Sequence, residues 1–276
     1  MSQALSLSQA ATTVAAAAAA CTGVRVVVSA MASAGWLSRV DAPPHKIGAM
    51  AVSTLHALSS SLHALYMVKS ASTVDDFGAR FGVRMRLHCL AELGYYVYDT
   101  AANIRTLAAE RRAKKRQPSI LDVGFLIHHL PPLAGFGLVV AWWQRQPQEK
   151  FNSTGYLTAM CLVVHITTPL QNLRWVMDRA HVPVTSAAYR ANQVVFLGSF
   201  TVLRIVGVFW LIRSVQWLRG LPADISTLAL VREHMPIKCV VGTAVLYAVN
   251  VVWWGMNTNR LVQSFSGSER RKPKRQ

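Results

Sequence analysis

Apolar segments of about membrane-crossing length alternate with short basic and polar connectors along most of this chain. They run at roughly 47–68, 86–105, 120–143, 155–174, 193–213 and 237–259. Each is close to the ~20 residues a helix needs to cross a bilayer at ~1.5 Å per residue. An Ala-rich stretch before them, interrupted by Arg25, reads as a seventh helix. It lacks the basic residues that precede the apolar core of a signal peptide. The pattern predicts an all-α, multi-pass transmembrane bundle, six spans plus an N-terminal seventh. Residues 1–44 form the N-terminal segment, 45–265 the bundle and 266–276 a basic tail.

Several spans carry polar residues at helical spacing. His88, Glu92, Tyr95 and Asp99 are four, three and four apart. At ~100° per residue they share one helix face. His56, Ser60 and His63 repeat the pattern earlier; His165, Thr168 and Asn172, then Tyr247, Asn250 and Asn257, repeat it later. Arg204 sits mid-span and calls for a counter-charge, with Asp99 or Glu92 the candidates. Ionisable groups inside a membrane cost several kcal/mol and usually face a protein interior. Packing through interhelical hydrogen bonds would explain one stripe. Several together predict a polar cavity lined by His56, Glu92, Tyr95, Asn172, Arg204 and Asn250.

Composition agrees. Only 15% of the 276 residues are charged and 52% are hydrophobic, and mean hydropathy is +0.28. The net charge of +17 is concentrated in short connectors and the tail, which argues against a nucleic-acid partner. Arg105 to Arg116 is the most basic loop and "ERRKPKRQ" the most basic end. The positive-inside rule places both in the cytosol, and four crossings between them are consistent with that. Asn152-Ser153-Thr154 is a glycosylation sequon in a connector expected to be lumenal. Lys272 and Lys274 resemble a dilysine retrieval signal of the endoplasmic reticulum. Cys21, Cys89, Cys161 and Cys239 form no CxxC pair and read as reduced, structural thiols.

The most specific polar feature is "FLIHHLPPL", with His128 and His129 deep in an apolar run that follows a capping-box spacing at Ser119 and Asp122. Adjacent residues point ~100° apart, so only one can face a cavity squarely. Phe125 stands where an HxxHH box would need histidine, and no HExxH, GxSxG, P-loop or GxGxxG is present. No motif predicts a metal or a bound cofactor. Histidine as general base or covalent acyl carrier remains, or no catalysis.

The residues "STLHALSS" around His56, "LAELGYYVYDT", the pair at 128–129, "TTPLQNLRW", Arg204 and Asn250-x-x-Trp253 occur in an order that resembles TLC-domain proteins. The resemblance covers roughly 45–265. It implies a helical bundle of the endoplasmic reticulum or a related membrane that handles lipid. In the ceramide synthase branch the paired histidines N-acylate a sphingoid base from acyl-CoA. That implies His128 and His129 as catalytic groups, with Asp99 beside them and His165 as a further proton-transfer group. Two departures stand out. "PPLAGFGLVVAWW" follows the pair where that branch has a polar, then aspartate-rich run, and His165 stands where smaller TLC-domain proteins commonly carry an acid. Two functions therefore stay open: an acyl-CoA-dependent acyltransferase acting on a membrane lipid, or a non-catalytic lipid-binding regulator of membrane composition. The basic loop, with Arg111, Arg112, Lys114, Lys115 and Arg116, suits either acyl-CoA phosphates or simple membrane orientation. Oligomeric state is open.

Overall fold

The computed structural model of the protein describes residues 6–112, 129–130, 132–137, 141, 148–235 and 237–266. Helix α1 (Leu7–Ser33) starts with a capping box: Ser6 accepts from the Gln9 backbone N–H, and the Gln9 side chain accepts from that of Ser6. Its alanines favour helix intrinsically. Helix α2 (Pro44–Ser70) begins on a proline at its first position, where the missing N–H costs no intrahelical bond. Helix α3 (Val74–Arg112) is the longest, at 39 residues. Asp75 and Asp76 lie in its first turn and Arg111 and Arg112 in its last, matching the helix dipole at both ends.

The second half is more broken. Helix α4 (Gln148–Leu162) runs into a 3-10 turn (Val163–Thr167) and then α5 (Thr168–Arg179). Helix α6 (Ala187–Phe200) continues through a π-helical turn (Thr201–Val206) into α7 (Gly207–Leu218). A short α8 (Thr227–His234) precedes α9 (Ile237–Ser266). All the described regular structure is helical, as the sequence pattern predicts.

Among the described residues three stretches are long and apolar enough to cross a membrane: Ser8–Ser33, Ala187–Leu218 and Val240–Ser266. Their outward faces carry Val26, Val202, Trp210 and Val252, all exposed, as contact with lipid tails requires. The expected spans at 47–68 and 86–105 fall inside α2 and α3, whose polar stripes make them less apolar. The expected span at 155–174 is divided among α4, the 3-10 turn and α5. Most of 120–143 lies outside the described residues, as do Ser119 and Asp122, His128, the lysines at 114 and 115, and the tail with Lys272 and Lys274.

Helix α1 packs on both α2 and α3, and two glycines permit it. A Cβ at Gly94 of α3 would lie 2.6 Å from the Val14 carbonyl oxygen and 2.8 Å from the Ala17 Cβ. A Cβ at Gly48 of α2 would meet the Arg25 carbonyl oxygen at 2.7 Å. Small residues let helix backbones approach closely where lipid supplies no hydrophobic drive. Between α2, α3 and α4 lies a core of Ala64, Met67, Phe77, Phe81, Met85 and Leu162. A second cluster groups Val52, Tyr95, Tyr96 and Tyr98, with Leu133 and Phe136 of the short helical stretch at 132–137 against it.

Two expectations change. The sequon is not in a loop: Asn152 lies in α4, is buried, and donates from its amide to Asp75 Oδ1 at 3.3 Å. Cys21, Cys89 and Cys161 are free thiols, Cys89 buried and Cys161 exposed, so the expected structural role fits Cys89 and not Cys161.

Candidate functional site: two histidine–carboxylate clusters beside one cavity

Helix α3 turns its stripe inward. His88, Glu92, Tyr95 and Asp99 are all buried, as their spacing requires of one face. The two carboxylates are seven residues apart in sequence, about two turns or ~10 Å along the axis. Each gathers its own histidines.

Glu92 is the deeper, with its side chain 2% exposed. His56 from α2 brings Nε2 to 3.2 Å from Glu92 Oε2. His165 from the 3-10 turn brings Nδ1 to 3.8 Å from the same oxygen. His88, one turn before Glu92, places Nε2 3.3 Å from the other oxygen, Oε1. The cluster is braced behind. His88 Nε2 is 3.1 Å from Ser60 Oγ, and its Nδ1 is 2.9 Å from His63 Nδ1. The His56 ring stacks on Tyr95, centroids 3.6 Å apart and planes within 9°. The α2 and α3 stripes thus interlock. A buried carboxylate is tolerated only with such partners, because desolvating an ion costs several kcal/mol.

Asp99 makes the second cluster with His129. His129 Nε2 lies 3.5 Å from Asp99 Oδ2, and its Nδ1 lies 3.3 Å from Thr100 Oγ1. His129 is buried while its neighbour Leu130 is 58% exposed. This member of the pair therefore faces the bundle interior. His165 pairs with Glu92, not with Asp99.

Tyr96 joins the two clusters. Its hydroxyl is 3.4 Å from His165 Nε2, and its ring meets the His129 ring edge-on at 5.5 Å. Phe136 stacks on the Tyr96 ring, centroids 5.9 Å apart. Sequence reasoning passed over Tyr96 and Thr100 because they lie off the His88–Asp99 stripe. A signal was present: Glu92, Tyr96 and Thr100 are spaced four and four and form the adjacent row on α3.

A cavity of about 2780 Å³ borders His56, Tyr95, Tyr96, His129 and His165. It exceeds the ~300–1,000 Å³ of drug-sized pockets and has room for a lipid chain. Asn172, Arg204 and Asn250 also border it, in different ways. Asn172 Nδ2 donates to Thr54 Oγ1 at 2.9 Å and ties α5 to α2. Asn250 Oδ1 is buried without a hydrogen-bond partner. Arg204 departs from expectation: neither Asp99 nor Glu92 is its counter-charge. Its Nε donates to Thr167 Oγ1 at 3.0 Å and an Nη to the Val164 carbonyl at 3.4 Å, with Phe200 under the guanidinium. It sits in the π-helical turn, a distortion frequent at functional sites, and clamps the 3-10 turn that carries His165. Arg174 of "NLRW" is a structural tie, donating to Asn257 of α9 and lying over Phe196.

Apolar membrane-length helices around buried ionisable clusters and a lipid-sized cavity define a helical membrane protein with an internal polar site. The family model for the TLC domain matches residues 46–257, and the chain belongs to the TLC-domain family. Helices and family together fit a membrane protein of lipid metabolism. No curated protein and no solved structure matches the chain.

Proposed function

We propose that this protein is an acyl-CoA-dependent acyltransferase that modifies a membrane lipid, with His129 as general base and Asp99 as its orienting carboxylate. The observation that carries this reading is the buried His129–Asp99 contact at the cavity wall, 3.5 Å between Nε2 and Oδ2. With its proton on Nε2, directed at Asp99, His129 is basic at Nδ1. The Thr100 hydroxyl lies 3.3 Å from Nδ1, and an acceptor's amine or hydroxyl entering from the cavity would take its place there. His129 takes the proton as that nucleophile attacks the thioester carbonyl carbon. The new N–C or O–C bond replaces the C–S bond, and the departing CoA thiolate receives the proton. His165, reached through Tyr96, stands by as a second proton-transfer group. The unpartnered amide oxygen of Asn250 suits a lipid head group that donates a hydrogen bond. Arg111 and Arg112, with the basic residues after them, would meet the phosphates of acyl-CoA.

The same reading puts the protein in the endoplasmic reticulum with its C-terminus cytosolic and the membrane crossed six or seven times. Basic loop, basic tail and dilysine-like ending support that arrangement.

The test offers purified protein a panel of acyl-CoAs with sphingoid bases and lysophospholipids, and reads products by mass spectrometry. The reading expects an acylated product that disappears in His128→Ala/His129→Ala. Lipid held by the wild type with no product above that variant across the panel would leave the non-catalytic regulator instead.

A further inference from the structure

We propose that His56 Nε2, Glu92 Oε2 and His165 Nδ1 form a site for a divalent transition-metal ion, zinc being the best match to the donor set. These three atoms lie within 4.8 Å of one another. All three atoms are buried; they face one another at ion-pair distance, 3.2 and 3.8 Å, yet none makes a well-formed hydrogen bond. Buried polar atoms are nearly always satisfied, and each exception asks for a reason such as an ion. Here three exceptions converge on one point from three separate segments, α2, α3 and the 3-10 turn.

The rest of each ligand is already held in place. Glu92 Oε1 is taken by His88, itself fixed by Ser60 and His63. His165 Nε2 faces the Tyr96 hydroxyl. The His56 ring is clamped against Tyr95. Metal-binding histidines characteristically engage their second ring nitrogen with an outer partner, which fixes tautomer and orientation. The surrounding groups therefore hold the rings and the carboxylate so that His56 Nε2, Glu92 Oε2 and His165 Nδ1 point at a common centre.

The spacing suits a small ion. Two ligands ~2.0–2.1 Å from a tetrahedral zinc lie about 3.3 Å apart. The His56–Glu92 edge is 3.2 Å and the His165–Glu92 edge 3.8 Å, so binding draws His165 inward by a small rotation. Two imidazoles and one carboxylate favour zinc or iron(II) over calcium and magnesium, which prefer all-oxygen shells. Three protein ligands leave a coordination position open. His56 and His165 border the cavity, so that position is available to water or to an oxygen of a bound lipid. The clustering was not readable as a motif, because the ligands are 36 and 73 residues apart in sequence.

The site shares no ligand with the His129–Asp99 contact, although a bound ion would take His165 from the proton-transfer role given it above, and one experiment separates the two. Full-length protein is purified in detergent by a tag that binds no metal, and its metal content is measured by mass spectrometry. It is then stripped with chelator and titrated with Zn(II), and with Co(II) as a visible-absorption probe. The expected result is one ion per chain and a tetrahedral Co(II) spectrum. Glu92→Gln and His165→Ala lose at least about tenfold in affinity, His88→Ala loses about 10–100-fold through the outer shell, and His129→Ala binds as wild type. Stripped wild type that takes up neither ion stoichiometrically overturns the proposal, and shows a cluster held by protons alone. Binding unchanged in both Glu92→Gln and His165→Ala overturns it equally. Should those variants not fold, the wild-type Co(II) titration decides by itself.

Discussion

His129 and Asp99 of α3 face each other across 3.5 Å, both buried, with Thr100 on the opposite nitrogen of the same imidazole. A buried carboxylate beside a histidine fixes which ring nitrogen carries the proton and so which one is basic. Asp99→Asn keeps shape but loses that control. We expect about a 10²–10⁴-fold fall in acyl-transfer rate, the usual weight of a positioned general base, with KM for acyl-CoA little changed. Steady-state kinetics on the purified variant checks the split between kcat and KM.

Among the described residues Arg204 has no carboxylate partner; it instead holds the 3-10 turn through Thr167 Oγ1 and the Val164 carbonyl. Arg204→Met fills similar space but removes the donors to Thr167 Oγ1 and the Val164 carbonyl, leaving that carbonyl the Thr167 hydroxyl alone. The cost of such a loss is about 1–3 kcal/mol. A lowered melting temperature in detergent is expected. Because the turn carries His165, the variant should also lose activity, whereas Arg190→Met, remote from the turn, should not.

Gly94 lies where α1 touches α3, with the Val14 carbonyl 2.6 Å from its would-be Cβ. Gly94→Val must push α1 away. Overpacking of this kind costs about 1–3 kcal/mol. Increased protease cleavage within residues 34–43, without loss of the α2–α3–α4 core, is the expected signature. Cleavage identical to wild type would mean that α1 does not pack there.

Asn152 satisfies the sequence rule for glycosylation, yet it sits in α4 with its amide on Asp75. A folded chain cannot present it to the transferase. Expression in glycosylating cells should give protein with no endoglycosidase-sensitive mobility shift. Asp75→Leu, which removes the amide's acceptor, should destabilise the α3–α4 contact.

How legible all this was depends on the range of the interaction. The α3 stripe was readable because His88, Glu92, Tyr95 and Asp99 share one face by local geometry alone. The choice of partners was not. Nothing in the sequence says that His165 meets Glu92 rather than Asp99, since that depends on where a 3-10 turn sits after α4. Arg204 invited a carboxylate partner by its charge, but the π-helical turn aims it at backbone and hydroxyl oxygens. Asn152 was misread because a sequon states an acceptor pattern and not an exposure. The apolar runs at α6–α7 and α9 announced membrane helices plainly. Those of α2 and α3 were diluted by the residues that build the site.

The account rests most directly on His129. Release of free CoA thiol should be followed with purified protein, a long-chain acyl-CoA and an acceptor from the sphingoid-base and lysophospholipid panel. The account predicts turnover by wild type and a fall of at least about 100-fold in His129→Ala, with the variant's melting temperature close to wild type. Equal rates in the two proteins would contradict it.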